Sequence, residues 1–188
     1  MIVEEKTVSS ERIYEGAILN LRKDKVTVKD GRTSYREVVE HNGGVIILGV
    51  TREGRIPMIW QYRKPAGQAM FELPAGKLEK GEDPEEAALR EFREETGYTA
   101  GRIRHILEFY PTVGYSEETL HIFFAEDLTP GDTDFDENES IEIEEYLPEE
   151  LYAKLDAGEM NDGKSIIAIL LYKNCATKYQ GNNLQAAE

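Results

Sequence analysis

One cysteine, Cys175, stands in 188 residues, so no intrachain disulfide braces this chain. Positive charge is also scarce: 22 Lys and Arg against 37 Asp and Glu leave a formal net charge of −15. Non-specific nucleic-acid binding is driven by Lys and Arg against phosphate, so DNA and RNA are excluded as partners. Any phosphate bound here needs a local arginine or a metal ion to offset the field. Long apolar runs are missing. The longest, Ile166–Tyr172, falls far short of the roughly 20 residues that span a bilayer. Met1–Ser10 mixes Glu and Lys without an apolar stretch, so neither signal peptide nor membrane partner is expected, and the expected location is the cytoplasm. There is no internal repeat, and no Asp-x-Asp-x-Asp-Gly loop of the calcium-binding kind. What remains is 40% hydrophobic and 31% charged, enough for a core and unlike a disordered chain.

The chain divides into regions 1–42, 43–175 and 176–188. Residues 1–42 predict a small antiparallel β region, with a strand over Arg12–Leu21, another at Lys25–Val28, a turn at Asp30-Gly31 and a strand over Ser34–Glu40. So small a sheet buries little alone and must pack on the rest of the chain or on a second copy. In 43–175, Val45–Val50 and Ile56–Tyr62 flank Thr51–Arg55 and predict an antiparallel hairpin. Glu72–Pro74 reads as extended, and Ile103–Phe109, Leu120–Ala125 and Ile141–Tyr146 as strands. Helices are predicted over 84–96, from Pro148 to about Ala157, and over Lys164–Asn174. Interspersed strands and helices place the chain in the α/β class with a mixed sheet. Residues 176–188 read as a flexible polar tail.

The chemistry is concentrated in Gly76–Tyr98. Asp83 is suited to N-cap a helix, Pro84 to its first position, Glu86 to a capping box and Gly97 to the left-handed residue that ends it. Inside that helix Glu91, Glu94 and Glu95 share one face. Carboxylates roughly 5 Å apart repel by roughly 3 kcal/mol per pair at an effective dielectric of about 20. A hard divalent cation would cancel that repulsion, and Mg2+ bridges carboxylates to phosphates. Gly76 and Gly81 allow the preceding loop to bring its backbone near such a cation. Ala87 and Ala88 leave room for another element or a ligand.

This segment resembles the Nudix box: a Gly, five residues, Glu, seven residues, then Arg-Glu-hydrophobic-x-Glu-Glu-x-Gly-hydrophobic. Gly76, Glu82, Arg90, Glu91, Glu94, Glu95 and Gly97 all match, with Phe92 and Tyr98 as bulky occupants of the hydrophobic slots. The resemblance implies an α/β/α sandwich with a mixed sheet, the small N-terminal β region standing beside it. It implies Mg2+, or Mn2+ in its place, bound by Glu91 and Glu95 with Glu94 assisting, and a bracing ion pair between Arg90 and Glu82. Phe71–Gly76 resembles the matching element of ADP-ribose pyrophosphatases, where the Ala75 carbonyl would be a further metal ligand.

In that branch a Glu-x-Glu just before a strand supplies the catalytic base and another metal ligand. Glu137 and Glu139 stand there, either one the base, Glu139 the metal contact. Both would be ionised, since a neighbouring cation lowers a carboxylate pKa. The same branch places a substrate-binding arginine at Arg63, with Glu72 on ribose hydroxyls and Arg36 reaching across to a partner subunit. Its members are homodimers with exchanged N-terminal sheets, where Tyr14 or Tyr35 would stack on adenine. The implied reaction is hydrolysis of a nucleoside diphosphate sugar, ADP-ribose first. The loop Tyr110–Glu117 has Val113 where the branch carries a marker proline, which keeps GDP-mannose and other sugar nucleotides open. Nucleoside triphosphate housecleaning and a silent Nudix-fold binding module are the remaining alternatives. The first is disfavoured by the N-terminal region, the second by the retained glutamates.

Overall fold

A computed structural model describes residues 2–135 and 140–179, the last four as backbone only. The chain forms two compact units. One comprises Met1–Gly44 with Glu108–Leu120, the other Val45–Leu107 with His121–Glu188.

In the first unit, β1 (Lys6–Glu15), β2 (Asn20–Thr27) and β3 (Thr33–Glu40) form an antiparallel sheet in that order. The single strand expected over Arg12–Leu21 is therefore two strands. The chain reverses at Gly16, whose N–H bonds the Leu19 carbonyl at 3.1 Å. The Tyr14 ring folds over Gly16, into the space a Cβ there would take. The β2–β3 turn forms where Asp30-Gly31 predicts it, with φ of 70° and 73°, the left-handed pair that short hairpin turns favour. The segment 108–120 clasps β3: Val39 N–H donates to Tyr115 O at 2.7 Å and Glu117 N–H to Val39 O at 3.1 Å. Arg22 ties this unit together through Asp24 at 3.0 Å and through Glu40 and Glu117, each at 2.9 Å.

The second unit is built on two sheets. β5 (Ile56–Arg63) lies between β10 (Ile141–Tyr146) and β6 (Gln68–Glu72), antiparallel to both. The other sheet runs β7 (Ala75–Lys77), β4 (Gly44–Gly49), β9 (Leu120–Thr129), β8 (Thr99–Phe109). The expected β4–β5 hairpin is thus corrected. A tight turn joins the two strands, with Thr51 N–H on Arg55 O at 2.8 Å, but they enter different sheets. All six residues of β4 are buried. An unbroken apolar run marks a strand covered on both faces and flanked on both edges, and β7 and β9 take those edges.

The helices are α1 (Pro84–Thr96), α2 (Pro148–Asp156) and α3 (Gly163–Tyr179). α3 runs past its expected end at Asn174 into the segment expected to be tail, and residues 180–188 lie outside the described part. α1 buries Ala87, Ala88 and Phe92 against Val45, Ile47, Phe123, Ala125 and Leu128. The small alanines therefore admit β-sheet side chains. Phe92 fits because Gly49 lacks the Cβ that would overlap its ring. Among the described residues no helix is long and apolar enough to cross a membrane.

Candidate active site

The loop before α1 and the helix itself are fixed by local chemistry. Asp83 Oδ1 accepts the N–H groups of Glu85 at 2.9 Å and Glu86 at 3.3 Å, and Pro84 fills the first helical position. The capping box expected from Glu86 is only half formed, because no described bond returns from its side chain to Asp83. Gly97 ends the helix at φ 74°, its N–H on Arg93 O at 2.8 Å. A Cβ there would come 2.5 Å from the Gly131 carbonyl.

Arg90 stands at the centre of the acidic face. Nε and Nη2 reach the two oxygens of Glu82 at 3.1 and 3.2 Å, the brace that the motif implied. Nη1 reaches Glu91 at 2.8 Å and Glu94 at 3.2 Å. Glu82 also accepts the Glu79 N–H at 2.8 Å, which pins the loop. Glu82 is held below its usual range, first by its hydrogen bonds to Arg90, against the opposing effect of burial. One expectation needs revision. The glutamate row is not left to repel itself, because Arg90 already bonds two of its three members and Arg93 approaches Glu94 at 3.5 Å.

Glu95 is 3% exposed, and its Oε2 accepts the Ala75 N–H at 2.8 Å. The Glu91 carboxylate occupies the space a Cβ on Gly76 would fill. Two carboxylates thus lie against consecutive residues of β7, Ala75 and Gly76. Among the described residues no three His, Cys, Asp or Glu side chains converge as a ready metal cluster. The side chains gathered here are nonetheless carboxylates, the oxygen donors a hard divalent cation takes. The glycine cradle lets backbone and carboxylate approach within one side chain's space. Glu137 and Glu139 lie outside the described residues. The loop leading to them is fastened to α1: Asp134 N–H donates to Glu94 O at 2.9 Å, and Arg93 lies 3.5 Å from the Asp134 carboxylate.

Arg63 ends β5 beside Glu72, which ends β6. The guanidinium forks onto the carboxylate, Nε to Oε1 at 2.8 Å and Nη2 to Oε2 at 2.9 Å. Glu72 is 1% exposed and also takes a hydrogen bond from Lys164. Both its oxygens are therefore engaged inside the protein, with three of the roughly four lone-pair directions of the carboxylate taken. Burial pushes the Glu72 pKa up, but the hydrogen bonds and charges of Arg63 and Lys164 outweigh it and hold the group below its ordinary value. Arg63 is raised, first by its hydrogen bonds to Glu72, against burial, and further by the charges of Glu72, Glu95 and Asp162. Arg36 belongs to the other unit and pairs with Glu5 at 2.5 and 2.8 Å. Tyr14 and Tyr35 are more than half exposed there.

Sequence reasoning missed Lys164, Asp162 and Ser165. Lys164 Nζ sits 2.9 Å from Asp162, and Asp162 Oδ2 accepts both N–H (3.1 Å) and Oγ–H (2.5 Å) of Ser165. An Asp just ahead of an apolar helix is a capping signal, so the cap was within reach. The pairing with Glu72 joins positions 92 apart in sequence and leaves no local trace. The box's last position, Tyr98, has a purpose its bulk did not suggest. Its hydroxyl donates to Glu145 at 2.6 Å, and that bond pushes its pKa up to about 12.

Comparison with known proteins agrees with this geometry. Residues 40–168 match the model of the NUDIX domain, and residues 5–39 that of the nucleoside diphosphate sugar hydrolase N-terminal domain. The chain is 43% identical over 169 residues to the ADP-ribose pyrophosphatase of Bacillus subtilis, covering 89% of this chain and 91% of that one. It is 38% identical over 170 residues to the methanol dehydrogenase activator of Bacillus methanolicus, covering 89% and 92%. A crystal structure of an ADP compounds hydrolase superposes with a TM-score of 0.83 over 96% of this chain and 98% of that one, at 19% identity, which establishes a shared fold.

Proposed function

The chain belongs to the NUDIX family, and on that premise we propose that it hydrolyses the pyrophosphate of a nucleoside diphosphate sugar, ADP-ribose above all, giving AMP and ribose 5-phosphate. The observation that carries the reading is the α1 face. Glu91 and Glu95 lie against the Ala75–Gly76 backbone, Glu94 stands beside them, and the Arg90–Glu82 pair holds the loop. A silent binding module has no need to keep this arrangement whole. The similarity to an ADP-ribose pyrophosphatase over nine-tenths of both chains supports the substrate class.

In this reading Glu91 and Glu95, with the Ala75 carbonyl and Glu139, hold a divalent cation, Mg2+ with Mn2+ as a substitute. Such a cation neutralises diphosphate charge and lowers the pKa of a water. Glu137 or Glu139 accepts the proton of the attacking water, and Glu94 assists through its place beside Arg90. Arg63 binds phosphate. Its Nε and Nη2 are committed to Glu72, which leaves Nη1 as the donor for phosphate. Glu72 supports Arg63 and is the candidate contact to a ribose hydroxyl. In a protein of net charge −15 a local fixed cation is what an anionic substrate requires. The N-terminal unit serves a homodimer in which Arg36 reaches the partner's substrate. Its exposed Val8, Ile13, Tyr14 and Tyr35 support a role in association.

The test is turnover by the purified chain with Mg2+ of ADP-ribose, GDP-mannose, ADP-glucose, NADH and dGTP, with products separated by chromatography. The highest kcat/KM is expected for ADP-ribose, with AMP and ribose 5-phosphate as products. A preference for dGTP, or no turnover of any diphosphate, would overturn the reading.

A further inference from the structure

The first turn of α3 is built into the support of Arg63. Glu72 and Asp162 carry two negative charges, and Arg63 and Lys164 two positive ones, so the buried group is neutral. Its members form a closed ring. Arg63 forks onto Glu72, Lys164 bridges Glu72 to Asp162 at 2.9 Å, Asp162 accepts from Ser165 Oγ at 2.5 Å, and Ser165 Oγ accepts the Leu73 N–H at 2.7 Å. Leu73 follows Glu72 in the chain, which closes the circuit. Ser165 is fully buried and Glu72 is 1% exposed, so the centre of the group is shielded from solvent, while the Arg63 side chain keeps 38% of its surface open. A carboxylate held by Arg63 alone would be free to swing with it. Lys164 pulls on Oε2, the same oxygen that Arg63 Nη2 uses, and so fixes the plane on which the guanidinium rests.

We propose that Lys164 is a positioning residue for the hydrolysis. Held by Asp162 at the head of α3, it orients Arg63 through Glu72 so that Nη1 meets the substrate diphosphate. This rests on the reading of Arg63 as the phosphate contact. Lys164 acts on binding and not on the water or the carboxylates of α1, so its removal moves KM and spares kcat. An interaction transmitted through Arg63 also vanishes once Arg63 is gone.

The test is steady-state hydrolysis of ADP-ribose with Mg2+ by the full chain and by Lys164→Met, Lys164→Arg, Asp162→Asn, Arg63→Ala and Arg63→Ala/Lys164→Met, each checked by its thermal midpoint. Lys164→Met is expected to raise KM about tenfold with kcat within about twofold, and Lys164→Arg to recover most of the loss. In the Arg63→Ala background the same substitution is expected to add less than about twofold. Asp162→Asn keeps the helix cap but loosens Lys164, and is expected to raise KM about threefold. It carries the test if Lys164→Met does not fold. If Arg63→Ala leaves KM unchanged, the phosphate contact is wrong and the positioning role falls with it. If Arg63→Ala raises KM but Lys164→Met and Asp162→Asn do not, the positioning role alone is overturned. An equal effect of Lys164→Met with and without Arg63 overturns it too.

Discussion

Gly76 is the residue on which the α1 site turns. The three atoms nearest a Cβ there all belong to the carboxylate and Cγ of Glu91, the far end of a long side chain. The protein therefore accommodates Gly76→Ala by moving Glu91 aside. The expected outcome is a thermal midpoint within a few degrees of the parent and a loss of Mg2+-dependent turnover of at least about a hundredfold, since misplacement of a catalytic group by about 1 Å costs that much. Differential scanning calorimetry beside an ADP-ribose assay checks both halves. The glutamates and Gly76 were legible in the sequence because they lie within one short capped segment. Arg90's hold on Glu91 and Glu94 was less so: the pattern gave the pairing with Glu82, while the sharing of one guanidinium among three carboxylates depends on rotamers that spacing does not specify.

At the scale of elements, α1 is bounded by Asp83 and Gly97, and each termination has a measurable worth. Gly97→Ala forces a side chain into a left-handed conformation, which costs about 1 kcal/mol, and drives its Cβ to within 2.5 Å of the Gly131 carbonyl. The combined loss is expected to be about 2–3 kcal/mol, with Asp83→Ala costing about 1 kcal/mol; urea titration distinguishes them. Both helix ends were readable because capping is decided within a few residues. The β4–β5 pairing was misread for the opposite reason. Strands joined by a tight turn ordinarily pair, but β4 is apolar on both faces and is drawn between β7 and β9, whose partnership is set by distant sequence. The strand expected over Arg12–Leu21 failed at Gly16, where the glycine signal for a reversal was present and outweighed by the flanking β-formers.

Over the whole molecule, negative charge is in excess, yet the buried group at the head of α3 is balanced. Glu72 has a native pKa depressed below 4.5, so the stability it contributes is complete above that value and disappears as pH falls through its native pKa. Glu72→Gln leaves Arg63 and Lys164 without their shared counter-charge and is expected to cost about 1–3 kcal/mol near pH 7. That gap between parent and variant should narrow as the pH drops below 4.5, where the parent's carboxylate takes up its proton. Denaturant unfolding at pH 7, 4 and 3 measures it; a gap independent of pH would mean that the Glu72 charge does not hold the group together. Long-range pairings of this kind were the part of the site that the sequence concealed.

The central claim is that the carboxylates of α1, seated against Ala75 and Gly76, hold a divalent cation. Titration of Mn2+ followed by electron paramagnetic resonance, in the parent and in Glu95→Gln, tests it most directly. The amide oxygen of glutamine still accepts the Ala75 N–H, so the variant should fold with an unchanged thermal midpoint. Its bound Mn2+ signal should weaken at least about tenfold in affinity, with ADP-ribose turnover lost alongside. A folded Glu95→Gln protein that binds Mn2+ as the parent does would contradict the account.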